Sequence, residues 1–387
     1  MPPDRVVRRP GDAVTGAPAP RGRARDVGLV VGALPPGPVN AITDVPGVQV
    51  GHRTVWRGEP GGPDPVLRSG VTAVWPHRGD MFRERVYAGV SVFNGYGEMT
   101  SNVVIDEWGL IGSPIVLTDT THIGLAYDAT IRYMAAGDPE MQDVDVAIPV
   151  VAETDDGFLN DNRAFGVSRE DVWAALDAAS GGPVAEGVVG AATGTQQFDF
   201  KGGIGTASRV VELQGARYTV GVLLQTNYGS RRQLQVAGVP LGRMIEDLMP
   251  VRHHEGSCIG VVATDAPLHP RQLRRLARRV DVGLARTGSV GNDGSGEIFV
   301  AFSTANRIPR ATPRAAHPIE VIVEGQFWTQ GSPFDVLFEA VAEATEEAAL
   351  NALFQADTVI GRDGHVLYGF PVERALELMQ SWRPVRR

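Results

Sequence analysis

One stretch constrains this chain more than any other. His253-His254-Glu255-Gly256-Ser257 is polar and ends in Gly-Ser, and Cys258-Ile-Gly-Val-Val-Ala-Thr264 follows at once as an apolar run, before Asp265-Ala-Pro267 breaks it. A short continuous apolar run bounded by turn residues is the pattern of a buried strand. The stretch therefore predicts a loop feeding a buried strand whose first residue is Ser257. Strands and helices interleave along the rest of the chain, so the class is α/β or α+β.

A serine at that position has a chemical option. If the Gly256–Ser257 bond is cut, Ser257 carries a hydroxyl and a free α-amine side by side. The amine, with a reference pKa of about 7.7–8.0, can act as base for its own hydroxyl. Glycine before it lets the backbone strain and lets the Ser257 hydroxyl approach the Gly256 carbonyl. Gly-Ser also occurs at 112–113, 229–230, 288–289, 294–295 and 331–332, so the dipeptide alone equally fits a turn before a core strand.

Composition bounds the remaining choices. The chain has 387 residues, 43% hydrophobic and 21% charged, enough for a sizeable globular core. A net charge of −9 argues against a general nucleic-acid binder. Cys258 is the single cysteine, so no intrachain disulfide can form, and its place in an apolar run marks a buried small hydrophobe. Residues 1–25 are rich in Pro, Gly, Ala and Arg and read as a disordered tail. Arg8-Arg9 is followed by no apolar h-region, so a twin-arginine signal is rejected, and no run reaches the length of a membrane span. A cytoplasmic location is the expectation.

Along the chain, strands are expected at 88–93, 114–117, 144–152, 217–225, 257–264, 297–302 and 319–324. Thr118-to-His122 and Glu153-to-Gly157 read as polar loops. Helices are expected at 123–136, 241–249 and 269–286. The box Ser168-x-x-Asp171 opens another helix through Ala179. Ser332-Pro333 caps the clearest helix, running to about Phe354. The arginines at 271, 274, 275, 278 and 279 form a solvated helix face. Gly203-Ile-Gly205 is followed by Ser208, so no dinucleotide fingerprint is present. His253-His254-Glu255 lacks metal-ligand spacing, and His122 reads as a loop histidine bound to backbone. No metal or organic cofactor is implied. Residues 26–387 read as one folding unit.

Several motifs, in order, carry a resemblance. Asn40-Ala-Ile-Thr-Asp-Val-Pro-Gly-Val-Gln-Val-Gly-His52, Phe93-Asn-Gly-Tyr-Gly-Glu-Met99 and Asp156-Gly-Phe-Leu-Asn-Asp161 come first. Phe200-Lys-Gly-Gly-Ile-Gly-Thr206, Gly221-Val-Leu-Leu-Gln-Thr-Asn227, Gly256-Ser-Cys-Ile-Gly260, Gly294-Ser-Gly-Glu297 and Glu343-Ala-Thr-Glu-Glu-Ala348 follow. Together they resemble the P1 peptidase family, the L-aminopeptidase/D-esterase and β-aminopeptidase group, over nearly the whole chain from about residue 25. The resemblance implies a four-layer α/β/β/α sandwich of Ntn-hydrolase type. It also implies self-cleavage into 26–256 and 257–387, a tetramer of cleaved protomers, and a substrate that is a short peptide, amide or ester with a free amine.

It also assigns roles. Ser257 is the implied nucleophile and Gly256–Ser257 the cleavage point. Ser295 and Glu297, which strand alternation puts on one face, become the groups that orient the Ser257 amine; without the resemblance they read as a turn serine and an exposed carboxylate. Asn227 ends an apolar strand and becomes the oxyanion donor, where residue type alone suggests an Asn before a turn. Glu153 becomes the carboxylate that recognises the substrate ammonium. Asp155 departs from the pattern, since some members carry Tyr there and an ionised Asp cannot donate. Either a backbone N–H completes the hole, or Asp155 faces the substrate amine with Glu153. Two other readings stand beside the aminopeptidase. One is an acyltransferase similar to ornithine acetyltransferase, which typically uses a threonine nucleophile. The other is a binding homologue without activity, against which the joint presence of Gly256, Ser257, Asn227, Ser295 and Glu297 speaks.

Overall fold

The structure is a computed structural model and describes residues 21–141, 143, 145–213, 215–252, 256–324 and 332–383. The Ser257–Thr264 strand lies inside a six-stranded sheet, with all eight of its residues buried. Burial on both faces is why its sequence shows no polar alternation. Its neighbours are Ala216–Asn227, antiparallel, and Glu297–Pro309, parallel. Parallel strands need a crossover, which the helices Pro270–Ala277 and Arg279–Arg286 supply. Ile204–Leu213 flanks one side of this sheet, and Glu84–Val92 with Leu110–Ile111 flank the other.

A second sheet has the order Gln49–Arg57, Leu67–Trp75, Ile115–Asp119, Val150–Thr154. Alternate residues of the Ser257 strand divide between two cores. Ile259 and Val261 pack with Val71, Ala73, Ile115 and Val151 between the sheets. Cys258 and Val262 pack with Val341, Ala344 and Ala348 of the helix Pro333–Gln355 on the opposite side. Helices Ile123–Gly137 and Arg169–Asp177 contact the outer side of the smaller sheet. The expected α/β/β/α layering results.

The helix starts follow their caps. Ser168 and Asp171 form a reciprocal capping box, and the Ser332 hydroxyl accepts the Phe334 N–H ahead of a helix with proline in its first turn. Buried charges tie helix Pro333–Gln355 to the larger sheet. Arg209 bonds Glu343 at 2.9 Å and Glu347 at 2.8 Å, and Arg25 bonds Glu347 at 2.7 Å. The Glu343-to-Ala348 motif thus has a structural use.

Several expected boundaries move. Arg21 to Arg25 belong to the folded part: the Arg21 guanidinium reaches the Phe370 carbonyl at 2.8 Å, and Ala24 is fully buried. Residues 1–20 and 253–255 lie outside the described residues. The 269–286 helix breaks at Arg278, 241–249 reduces to a single 3-10 turn at Leu241–Arg243, and 319–324 has no strand. The strand expected at 144–152 is Val150–Thr154, so Glu153 sits in the strand and not in a loop. Asp119 ends a strand, and Thr120–His122 is a 3-10 turn with His122 buried. Flanking polar residues make the Asp119 and Glu153 strand ends look exposed, while the larger sheet packs over them.

Candidate active site

Ser257 starts its strand at the edge of the gap between the sheets and is 7% exposed. Its Oγ accepts the Gly296 N–H at 3.2 Å, and the Cys258 N–H returns a bond to the Gly296 carbonyl at 3.0 Å. The turn before the Glu297 strand is thereby fixed against the serine. The Ser295 hydroxyl donates to Glu297 Oε1, and both side chains are buried. Burial pushes the Glu297 carboxyl above the ordinary carboxylate range, with the Ser295 hydroxyl and the Asn94 amide pulling the other way.

Asn227 is paired with Ser257 in the antiparallel register. Its Oδ1 accepts the Gln196 N–H at 3.0 Å, and its Nδ2 donates to the Asp155 carbonyl at 2.8 Å. That leaves one Nδ2 hydrogen for another acceptor. Gly256 lies so close to Asn227 that a β-carbon there would overlap the Asn227 carbonyl oxygen and come within 2.9 Å of Nδ2. No residue but glycine fits at this point of the chain.

Glu153 is 3% exposed. Its Oε1 accepts the Glu98 N–H at 2.8 Å and its Oε2 the Thr120 hydroxyl. Burial raises its pKa, and the charges of Asp155 and Asp119 act in the same direction against those two donors. Gly97 joins Glu153 to the serine: a β-carbon on it would stand 3.2 Å from Glu153 Oε1 and 3.9 Å from Ser257 Oγ. Carboxylate and hydroxyl therefore flank Gly97 from two sides, and a side chain at 97 would crowd both.

Asp155 does not join Glu153 there through Oδ1, which accepts the Gly157 N–H and the Asn162 amide, each at 3.1 Å. What reaches the site is its backbone carbonyl, on Asn227. His122 is 2.7 Å from Asp119 through Nδ1 and accepts the Val167 N–H through Nε2, so both ring nitrogens are occupied away from the serine. Cys258 faces the helical core, and burial pushes its thiol well up. Sequence reasoning missed Gly97, Gly296 and the Gln196 N–H. The glycines stand inside quoted motifs, while a backbone N–H leaves no mark in sequence. Among the described residues no group of three or more His, Cys, Asp or Glu could hold a metal ion.

Residues 40–367 match Peptidase family S58. The chain is 42% identical to the β-peptidyl aminopeptidase BapA of Sphingosinicella microcystinivorans, over 96% of this chain and 96% of that protein. The chain belongs to peptidase family S58. Solved structures agree with this placing in S58. An L-aminopeptidase D-Ala-esterase/amidase from Ochrobactrum anthropi superposes with a TM-score of 0.85 at 42% identity, over 93% of this chain and 98% of that one. That enzyme is described as a prototype for the serine aminopeptidases and a new variant among the Ntn hydrolase fold. A Burkholderia sp. β-aminopeptidase gives 0.84 at 40% identity, over 94% of this chain and 100% of that one. The resemblance read from the motifs holds. This S58 member is a hydrolase, a serine aminopeptidase with the Ntn-hydrolase fold, and the acyltransferase alternative is not favoured.

Proposed function

We propose that the chain cuts itself between Gly256 and Ser257 and then uses Ser257 to release N-terminal residues from short peptides, amides or esters. One observation carries this reading. Ser257 pairs with Asn227 across the strands and shares the surroundings of Gly97 with the Glu153 carboxylate, beside a glycine that alone fits at 256.

In the uncut chain, Ser257 Oγ attacks the Gly256 carbonyl carbon. The Gly256–Ser257 C–N bond breaks, its nitrogen takes up a proton, and Gly256 is left as an ester on the hydroxyl. Water opens that ester, leaving a Gly256 carboxylate and freeing the Ser257 hydroxyl beside its α-amine. In the mature enzyme the amine draws the proton from the hydroxyl, which attacks the substrate carbonyl. Ser295 and Glu297 orient the amine. Asn227 Nδ2 donates to the tetrahedral oxyanion. The departing amine or alcohol takes the proton, and water releases the acyl group. Glu153 binds the substrate ammonium, which restricts attack to the first residue. The names of the relatives place β-amino-acid residues and D-alanine esters among the substrates to try. We read Asp155 as a loop residue that orients Asn227 by its carbonyl.

The test is release of the amine from an amino-acid p-nitroanilide and from a β-dipeptide by the parent and by Ser257→Ala. An active Ser257→Ala enzyme overturns the assignment. The same reading takes the enzyme as a cytoplasmic homo-oligomer of cut protomers, which cell fractionation and light scattering test.

A further inference from the structure

Lys201 is a fully buried lysine that none of the steps above uses. Its ammonium donates to the Ala192 carbonyl at 3.0 Å, the Thr195 carbonyl at 2.8 Å and the Gly202 carbonyl at 2.7 Å. Its three hydrogens are thus matched by three acceptors. No carboxylate forms an ion pair with it among the described residues. Burial pulls its pKa down to about 7, opposed only by the charge of Asp156. An apolar side chain would be cheaper to bury at this depth, so the ammonium calls for a reason beyond packing.

The Thr195 carbonyl supplies it. The peptide unit that offers this oxygen to Lys201 carries the Gln196 N–H on its other end, and that N–H donates to Asn227 Oδ1 at 3.0 Å. The line runs from the ammonium through the Thr195–Gln196 peptide to the Asn227 amide and out at Nδ2. Hydrogen bonds in such a chain polarise one another, and a charged donor at its head strengthens each link. Accepting the Gln196 N–H also fixes which way the amide is flipped, so that nitrogen and not oxygen faces the Ser257 side.

We infer that Lys201 is a positioning residue for the reaction, orienting and polarising the Asn227 amide through the Thr195–Gln196 peptide. The inference rests on the oxyanion role proposed for Asn227. Lys201 touches no reacting atom, and its effect falls on the transition state, where the amide gains a charged acceptor.

The test is a double-mutant cycle with Lys201→Gln, which keeps amide hydrogens but removes the charge, and Asn227→Ala, read on an alanine p-nitroanilide. Lys201→Gln is expected to lower kcat about tenfold with KM within about twofold, less than the loss of a direct oxyanion donor. In the Asn227→Ala background the same change is expected to cost less than about twofold, because its target is gone. Equal losses in both backgrounds, or a change confined to KM, overturn the inference and leave the role of Asn227 standing. An Asn227→Ala enzyme with full kcat overturns both. Hydrogen exchange on the parent keeps the test open if Lys201→Gln does not fold. The Gln196 amide is expected to be as protected as the strand Ala216–Asn227, and free exchange there breaks the relay.

Discussion

Asn227 and Ser257 are the last paired residues in the register between the two antiparallel strands that carry them. The pairing sets the proposed oxyanion donor beside the proposed nucleophile by main-chain geometry, without a flexible loop between them. It also brings Gly256 against the Asn227 backbone, so the bond to be cut lies where the amide can act on it.

Gly256→Ala is expected to slow processing. The new methyl overlaps the Asn227 carbonyl oxygen, and overpacking of this kind costs about 1–3 kcal/mol, or roughly ten- to hundredfold in rate. The time course of the uncut chain on a denaturing gel reads it. Cutting at the parent rate contradicts the account.

Asn227→Ala removes a donor that meets the oxyanion only at the transition state. A loss of about 10²–10³ in kcat with little change in KM is expected. Steady-state kinetics on an amino-acid amide measure it, and a rise in KM with kcat intact contradicts it.

Glu153→Gln tests amine recognition. Removing a charge-assisted bond is expected to cost about 1.5–3 kcal/mol in kcat/KM, roughly ten- to hundredfold. The pH dependence follows from burial. A raised pKa means that Glu153 is ionised only above that value, so kcat/KM falls with decreasing pH while still above the ordinary carboxylate range. The variant is expected to lack this acid-side fall. An unchanged pH–rate profile in Glu153→Gln speaks against the role.

Much of this was legible in the residues, for identifiable reasons. The Ser257 strand is buried on both faces, so its apolar run has no other home. The caps at Ser168 and Ser332 act within one turn of chain, and sequence shows them directly. The sequence puts Glu153 one element away from its true position because Thr154, Asp155 and Asp156 look solvated, whereas the larger sheet covers that strand end. The 269–286 helix kept one apolar period across Arg278, so its break left no trace. Lys201 sat in a recognised motif without a role, since a buried ammonium and a surface one are the same letter. Its partners are carbonyls of a loop that only the fold brings together.

The intact mass of the purified protein under denaturing conditions tests the central claim most directly. Cutting at Gly256–Ser257 is expected to divide the 41.3 kDa chain into pieces of roughly 27 and 14 kDa, the smaller beginning at Ser257, while Ser257→Ala stays whole. A parent chain that stays at 41.3 kDa on incubation while releasing amine from substrate would contradict the account, because Ser257 would then have no free α-amine to act as base.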